Sequence, residues 1–253
     1  MDITTTATLR PRLLRQTYTS FRDRMFEGSF EGCRLYLNVD PVGEAGVTQD
    51  DVVAVAREFF DDVVTRCPDA PSVPQAWCWL FNAVSDHFVF NLEDDWIMTQ
   101  DCRISDLTAI MSREPNLALL RLTRFAAGEE SCRQWNKSFI RHGDYYECPE
   151  EVQGMLGFSG NPSLIRGDFL RGVGQWLVPW GCPEKQIKRF VHPIAANRDH
   201  VTRFIQQQIM HVILEQWTYG VYTKPGWENV VADAGGDWRK DHGVDKLHGR
   251  EHW

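Results

Sequence analysis

Residues 88–96 read Phe-Val-Phe-Asn-Leu-Glu-Asp-Asp-Trp, FVFNLEDDW. The compact apolar run 88–92 predicts a central strand buried on both faces. Three carboxylates, Glu93, Asp94 and Asp95, follow it without a spacer. At the carboxyl end of a parallel strand, side chains reach the crevice where open α/β sheets bind ligands. Adjacent carboxylates repel one another unless a cation or solvent compensates. Hard oxygen donors suit Mg2+ or Mn2+, ions that keep several waters and bind phosphate oxygens as well. The competing reading is a helix start, where acids favour the N-terminal dipole. The strand before the acids and the tryptophan after them favour the cation.

Working outward, the Thr-rich stretch 3–7 predicts a first strand, 9–12 a loop with Pro11, and 14–26 a helix. Residues 34–39, RLYLNV, alternate as a second strand that ends at Asp40-Pro41. Thr48 with Asp51 three residues on is a helix-opening pattern. Val52, Val53, Ala56, Phe59, Phe60 and Val63 continue it at helical spacing. Prolines 68, 71 and 74 break that helix; 76–82 and 105–111 predict two more helices, and 117–122 a further strand. Such alternation implies a mainly parallel sheet with helices on its faces. The second half is less regular. Residues 124–160 read as loops and short strands, and 161–171 as a turn entering a helix. Helices are predicted over 184–190, 198–215 and 230–241, with an extended piece at 219–222.

At 253 residues the chain is long enough for one α/β domain with a sizeable core. Its formal net charge of −8 argues against extended non-specific DNA binding, which uses a basic face. Seven cysteines form no CxxC pair, so reduced thiols are expected rather than a zinc knuckle or a disulfide framework. The N-terminal residues carry no apolar leader and no stretch has the length of a membrane span, which predicts a soluble, cytoplasmic protein.

The segment FVFNLEDDW resembles the Asp-any-Asp region of GT-A glycosyltransferases, above all family-2-like enzymes, several of them from bacteriophages. The opening TTTATLRPRLLRQTYTSF resembles their first strand and helix, and RLYLNVDP their second strand. The similarity covers 3–122 and fades towards 190. It implies a Rossmann-like GT-A fold, a mixed and mainly parallel sheet flanked by helices with a helical C-terminal part. One domain would hold a nucleotide-binding half (1–122), an acceptor half (123–230) and a C-terminal helix and tail (231–253). The implied activity is metal-dependent, inverting transfer of a sugar from a nucleotide-sugar, a UDP-sugar first of all. Thr5, Ala7 and Arg10 would line the nucleoside pocket, and Asp40 would approach the base or ribose. Glu93 would face the ribose or sugar, Asp94 would lie beside it, and Asp95 would be the ligand of Mn2+ or Mg2+. The first acid departs from the pattern, being Glu rather than Asp.

An inverting transferase needs one base for the acceptor hydroxyl. Family-2-like enzymes place it at a helix start in the second half, and Cys182-Pro-Glu-Lys-Gln fits with Glu184; Asp168 and Glu151 are rivals. The competing reading of Glu184 is a first-turn acid after Pro183. GFSGNPSLIR, 157–166, resembles a donor- and acceptor-contacting segment, with Ser159 and Asn161 as hydrogen-bonding groups and Gly157 and Gly160 allowing close approach. An ordinary Gly-Asn-Pro turn is the alternative. A late histidine often completes the metal site in such enzymes. His242 is the first choice, with His248 and His192 behind it, and Arg239, Lys240, Lys246 and Arg250 could hold phosphates. Trp176 and Trp180 could stack on a sugar or base.

The acceptor stays open between a hydroxymethylated pyrimidine in phage DNA and a small carbohydrate or glycan. A stripe of Arg121, Arg124, Arg133, Lys137 and Arg141 would favour nucleic acid. Two other classes compete. A nucleotidyltransferase would share the sheet but needs a Gly-rich phosphate loop, and ATLRPR has no glycine. A non-catalytic sugar-binding protein would show no stabilisation by nucleotide and Mn2+.

Overall fold

The structure is a computed structural model that describes residues 1–123, 139–150, 158–187, 208–209, 211–224, 227 and 229–242. In chain order the elements are β1 (Asp2–Leu9), α1 (Pro11–Arg24), β2 (Arg34–Gly43), α2 (Gln49–Arg57), β3 (Asp62–Arg66), α3 (Val73–Ala83), β4 (Phe88–Asn91), β5 (Trp96–Met98), α4 (Ile104–Arg113) and β6 (Leu117–Leu122). Then come β7 (Ile140–His142), β8 (Tyr145–Glu147), β9 (Ser163–Arg166), α5 (Gly167–Gly174), α6 (Pro183–Ile187), β10 (Thr218–Tyr222), β11 (Val231–Asp233) and α7 (Gly235–Asp241). Nine strands form one sheet in the order β3-β2-β1-β4-β9-β6-β10-β8-β7, and β11 pairs with β5 in a small second sheet. β3, β2, β1 and β4 run parallel, as do β6 and β10, while β9 is antiparallel to both of its neighbours, β4 and β6. This is the mixed, mainly parallel α/β sheet with flanking helices that the alternation implies.

Local chemistry explains the elements that carry the site. The β-branched run of β1 suits a strand buried on both sides, and Pro11 opens α1 in the first turn, where its missing N–H costs nothing. Thr48 and Asp51 form the expected reciprocal cap on α2. Alternation along β4 sends Phe90 into a core shared with Leu14, Tyr18, Phe21 and Ile110 of α1 and α4. Val89 points the other way, into a core with Trp77 and Phe81 of α3 and Phe169 of α5.

Three expectations need correction. Val63 belongs to β3, an edge strand paired with β2, not to the helix before it; five residues are too few for their period to be read. Residues 163–166 are not helical but form the fully buried strand β9 in mid-sheet. A four-residue apolar run does not reveal by itself whether it is strand or helix. The last helix does not start at 230: Val231–Asp233 is β11, and α7 begins at Gly235. The strand is imposed from a distance, by pairing with Trp96–Met98 just after the acidic cluster. Residues 208–209 and 211–215 are helical, within the predicted 198–215, whose remainder lies outside the described residues. Among the described residues no helix is long and apolar enough to cross a membrane.

Candidate functional site

The chain leaves β1 for β2 and β3, then returns to place β4 on the other side of β1. That makes the carboxyl ends of β1 and β4 a topological switch point, where the connections part and leave a crevice. Past β4 the chain stays beside β1, with Leu92 N–H donating to the Thr4 carbonyl (2.9 Å) and Asp94 N–H to that of Thr6 (3.3 Å). The three acids therefore emerge at the mouth of the crevice, but in three different environments.

Asp94 is buried, 3% exposed, and fully engaged. Its carboxylate accepts from Thr8 N–H (2.9 Å), Thr8 Oγ1 (3.3 Å) and Arg10 Nε (3.3 Å), and pairs with Arg10 Nη2 at 2.5 Å. It lies inside the β1–α1 turn and holds it together through Thr8 and Arg10. Arg10 likewise faces inward: it is 7% exposed, and its Nη2 also reaches Asp95 Oδ2 at 3.4 Å. Thr5 and Ala7 lie inside the core, with Thr5 Oγ1 accepting from the Tyr18 hydroxyl at 3.2 Å. Thr8, not singled out in the sequence, is the residue whose amide and hydroxyl meet the acidic cluster.

Asp95 is half-buried. Burial, then the neighbouring charge of Asp94, pushes its carboxyl up to about 6 from 3.8, and Asp233 adds to this against the opposing pull of Arg10 and Arg239. Its main-chain carbonyl accepts from Ala234 N–H at 2.8 Å. Gly235 lies directly beneath its carboxylate, where a Cβ would stand 2.0 Å from Oδ2. Gly235 permits this close approach, whereas a Cβ at Gly236 would meet only Arg239 at 3.9 Å.

Glu93 turns to the other side. Burial, then the charge of Asp95, holds its carboxyl well above the usual range, and Glu184 and Asp94 contribute. It accepts from Trp96 Nε1 at 3.2 Å and rests on Gly160, whose Cβ would lie 2.8 Å from Oε1. Glu184, in the first turn of α6, accepts from Gly160 N–H at 2.6 Å, and Asn91 Nδ2 donates to the Gly160 carbonyl at 3.1 Å. One glycine peptide thus joins Glu93, Glu184 and the end of β4. Asn161 follows it, half-buried, and Ser159 Oγ before it is buried with no hydrogen-bond partner among the described residues. Asp168, a rival for the base, is exposed in the first turn of α5 and accepts from the adjacent Phe169 N–H.

Asp40, 4% exposed in β2, accepts from Asn38 Nδ2 (2.9 Å) and Ser72 N–H (3.2 Å), and burial raises its carboxyl above the ordinary value. His242 caps α7. Its Nδ1 lies 2.8 Å from the Trp238 carbonyl, and its ring stacks on Trp238 at 4.3 Å. A carbonyl can only accept, so Nδ1 is the donor in this contact and Nε2 is the nitrogen left for another partner. Glu151, His192, His248, Lys246, Arg250, Gly157, Arg124, Arg133 and Lys137 lie outside the described residues. A separate open hollow of about 480 Å³, lined by Asp23, Arg24, Glu27, Asp106 and Lys224 among others, contains none of these acids.

Among solved structures, S. aureus TarS superposes with a TM-score of 0.54 at 7% identity, over 92% of this chain and 37% of TarS. Residues 1–349 of TarS, in complex with UDP-GlcNAc, give 0.52 at 9% identity, over 91% of this chain and 60% of that one. The chain has the GT-A fold. The galactosyltransferase LgtC, in complex with donor and acceptor sugar analogs, gives 0.42 at 14% identity over 88% of this chain and 72% of its own. This GT-A chain spans little more than a third of full TarS. No family model matches it, and no curated protein matches it in sequence.

Proposed function

We propose that this protein is a metal-dependent, inverting glycosyltransferase that moves a sugar from a nucleotide-sugar, a UDP-sugar in the first instance, to an acceptor hydroxyl. The observation that carries the proposal is the division of labour among the acids at the β1–β4 switch point. Asp94 is engaged in the turn, while Asp95 and Glu93 are held over glycines on opposite sides, with Glu184 beside Glu93. In support, the fold is that of TarS, whose 1–349 fragment holds UDP-GlcNAc.

Asp95 and the Nε2 of His242 are the groups that would hold Mn2+ or Mg2+. Among the described residues no three His, Cys, Asp or Glu side chains form a ready cage. Water and substrate phosphates would complete the shell of such an ion. Asp95, Asp94 and Asp233 are three carboxylates set against two guanidiniums, Arg10 and Arg239, an excess of one negative charge that fits a cation there. When bound, the ion would neutralise charge on the leaving diphosphate. Asp40 lies on the side of the base and ribose, and Ser159 and Asn161 on that of the sugar. Glu184 takes the proton of the acceptor hydroxyl as its oxygen bonds to the anomeric carbon and the carbon–oxygen bond to the diphosphate breaks. One base on one face yields inversion. The first acceptor class is a hydroxymethylated pyrimidine in DNA: Arg121, Val221, Tyr146 and Arg141 stand opposite one another across β6, β10, β8 and β7, which puts both arginines on one face. A carbohydrate hydroxyl is the second class.

The test is a transfer and hydrolysis panel of UDP- and GDP-sugars with Mn2+, with hydroxymethylated DNA and simple glycans as acceptors. Transfer from a UDP-sugar that stops with EDTA is the expected result. No hydrolysis or transfer from any donor would overturn the assignment.

A further inference from the structure

Three residues around the start of α7 meet the acidic cluster or its arginine, each in its own way. Ala234 N–H holds the Asp95 main chain, Gly235 makes room for the Asp95 carboxylate, and Trp238 covers Arg10 with its indole at 5.1 Å from the guanidinium carbon. Arg10 Nη2 bridges Asp94 (2.5 Å) and Asp95 (3.4 Å), so the plane of that guanidinium sets where Asp95 Oδ2 sits. Trp238 is itself fixed on two sides. Its Nε1 donates to Glu44 Oε1 at 3.1 Å, just past β2, and His242 stacks on it with only 17° between the planes. The Trp238 ring therefore lies against both Arg10, at the β1–α1 junction, and His242, at the C-terminus of α7. The pairing of β11 with β5 sets the register of the whole segment.

We propose that Trp238 is a positioning residue of the donor site, acting through Arg10 on Asp95. This rests on the reading of Asp95 as the carboxylate that shares a cation with the donor diphosphate. A guanidinium can rotate or retreat from one of two carboxylates unless its face is held. An aromatic face holds it by electrostatic attraction to the ring, an interaction that strengthens as water is excluded. With Arg10 held, Asp95 keeps one oxygen on the arginine and presents the other. The C-terminal β11–α7 segment is then part of the donor site and not an appendage to it.

The experiment compares wild type, Trp238→Phe, Trp238→Ala and Glu44→Ala in UDP titrations with Mn2+ by calorimetry, and in donor KM and kcat. Trp238→Phe keeps a ring face over Arg10 and should bind within about threefold of wild type, whereas Trp238→Ala should weaken binding and raise donor KM about tenfold. Its kcat should stay within about threefold, because Glu184 is untouched. Glu44→Ala frees the indole without touching Arg10. It should raise donor KM about threefold, and it decides the matter if Trp238→Ala does not fold. Wild-type affinity in Trp238→Ala, an equal loss in Trp238→Phe, or an unchanged KM in Glu44→Ala would overturn the positioning role. Absence of Mn2+-dependent UDP binding in the wild type would instead overturn the donor-site reading beneath it.

Discussion

The carboxyl edge of β1, β2 and β4 and the arm built from β9, β6, β10, β8 and β7 meet at Gly160, yet they are assembled differently. On the first side, parallel strands follow one another through α1, α2 and α3, and the acids leave β4 directly onto the end of β1. On the second, strands distant in sequence interleave: β9 inserts between β4 and β6, and β10 lies beside β6 although residues 123–217 separate them in the chain. The proposed donor side is locked across the β1–β4 seam by Asp94 with Arg10, 84 residues apart in the chain. The proposed acceptor side is tied by Glu184 on the Gly160 amide, 24 residues apart, among strands drawn from distant parts of the chain. The difference predicts that binding and transfer can be removed separately.

Glu184→Gln gives the largest effect. It should lower kcat by about 10²- to 10⁴-fold, the usual contribution of a general base, while UDP binding stays unchanged by calorimetry. Lost binding would join the two regions that the comparison separates. Asp94→Ala should cost about 3–5 kcal/mol in urea unfolding, because Arg10 would be left buried without its main partner. A change within experimental error would show that the turn does not need its lock.

Two glycines sharpen the contrast. Gly235→Ala intrudes on Asp95 and should weaken Mn2+–UDP binding about tenfold, the scale of disturbed ligand support. Gly160→Ala intrudes on Glu93 and should lower kcat with less effect on binding. The reverse pattern would exchange the roles of the two sides. Asp40→Asn gives the smallest effect. Burial raises the Asp40 carboxyl, so the folded state holds its proton more tightly than the unfolded chain does. Ionisation then costs the folded state. The variant should gain stability relative to wild type as pH rises through the carboxylate range, and show no gain below it. Melting curves from pH 3.5 to 7 check the sign.

The same contrast separates what the sequence reveals from what it hides. β1, β2, β4 and β6 are legible because each is a compact β-prone run bounded by turn residues, and Thr48–Asp51 announces α2 by its cap. FVFNLEDDW places the acids at a strand end, and Pro183 places Glu184 in the first turn of α6. β9, β5 and β11 are three or four residues each, too short to carry a period, and exist through partners far away in the chain. In the sequence, only the family resemblance distinguishes Glu93, Asp94 and Asp95. Packing distinguishes them physically, because Thr8 and Arg10 claim Asp94 while Gly160 and Gly235 make room beside the other two. Trp238 and Glu44 carry no local signal, since their contact joins positions 194 residues apart.

The central claim is that Asp95 shares a divalent cation with the diphosphate of the donor. Calorimetric titration of UDP into wild type and Asp95→Ala, each with Mn2+ and with EDTA, tests it directly. Binding in wild type with Mn2+, and in none of the other three conditions, is the predicted result. Equal UDP affinity in Asp95→Ala with Mn2+, or in wild type with EDTA, would contradict it.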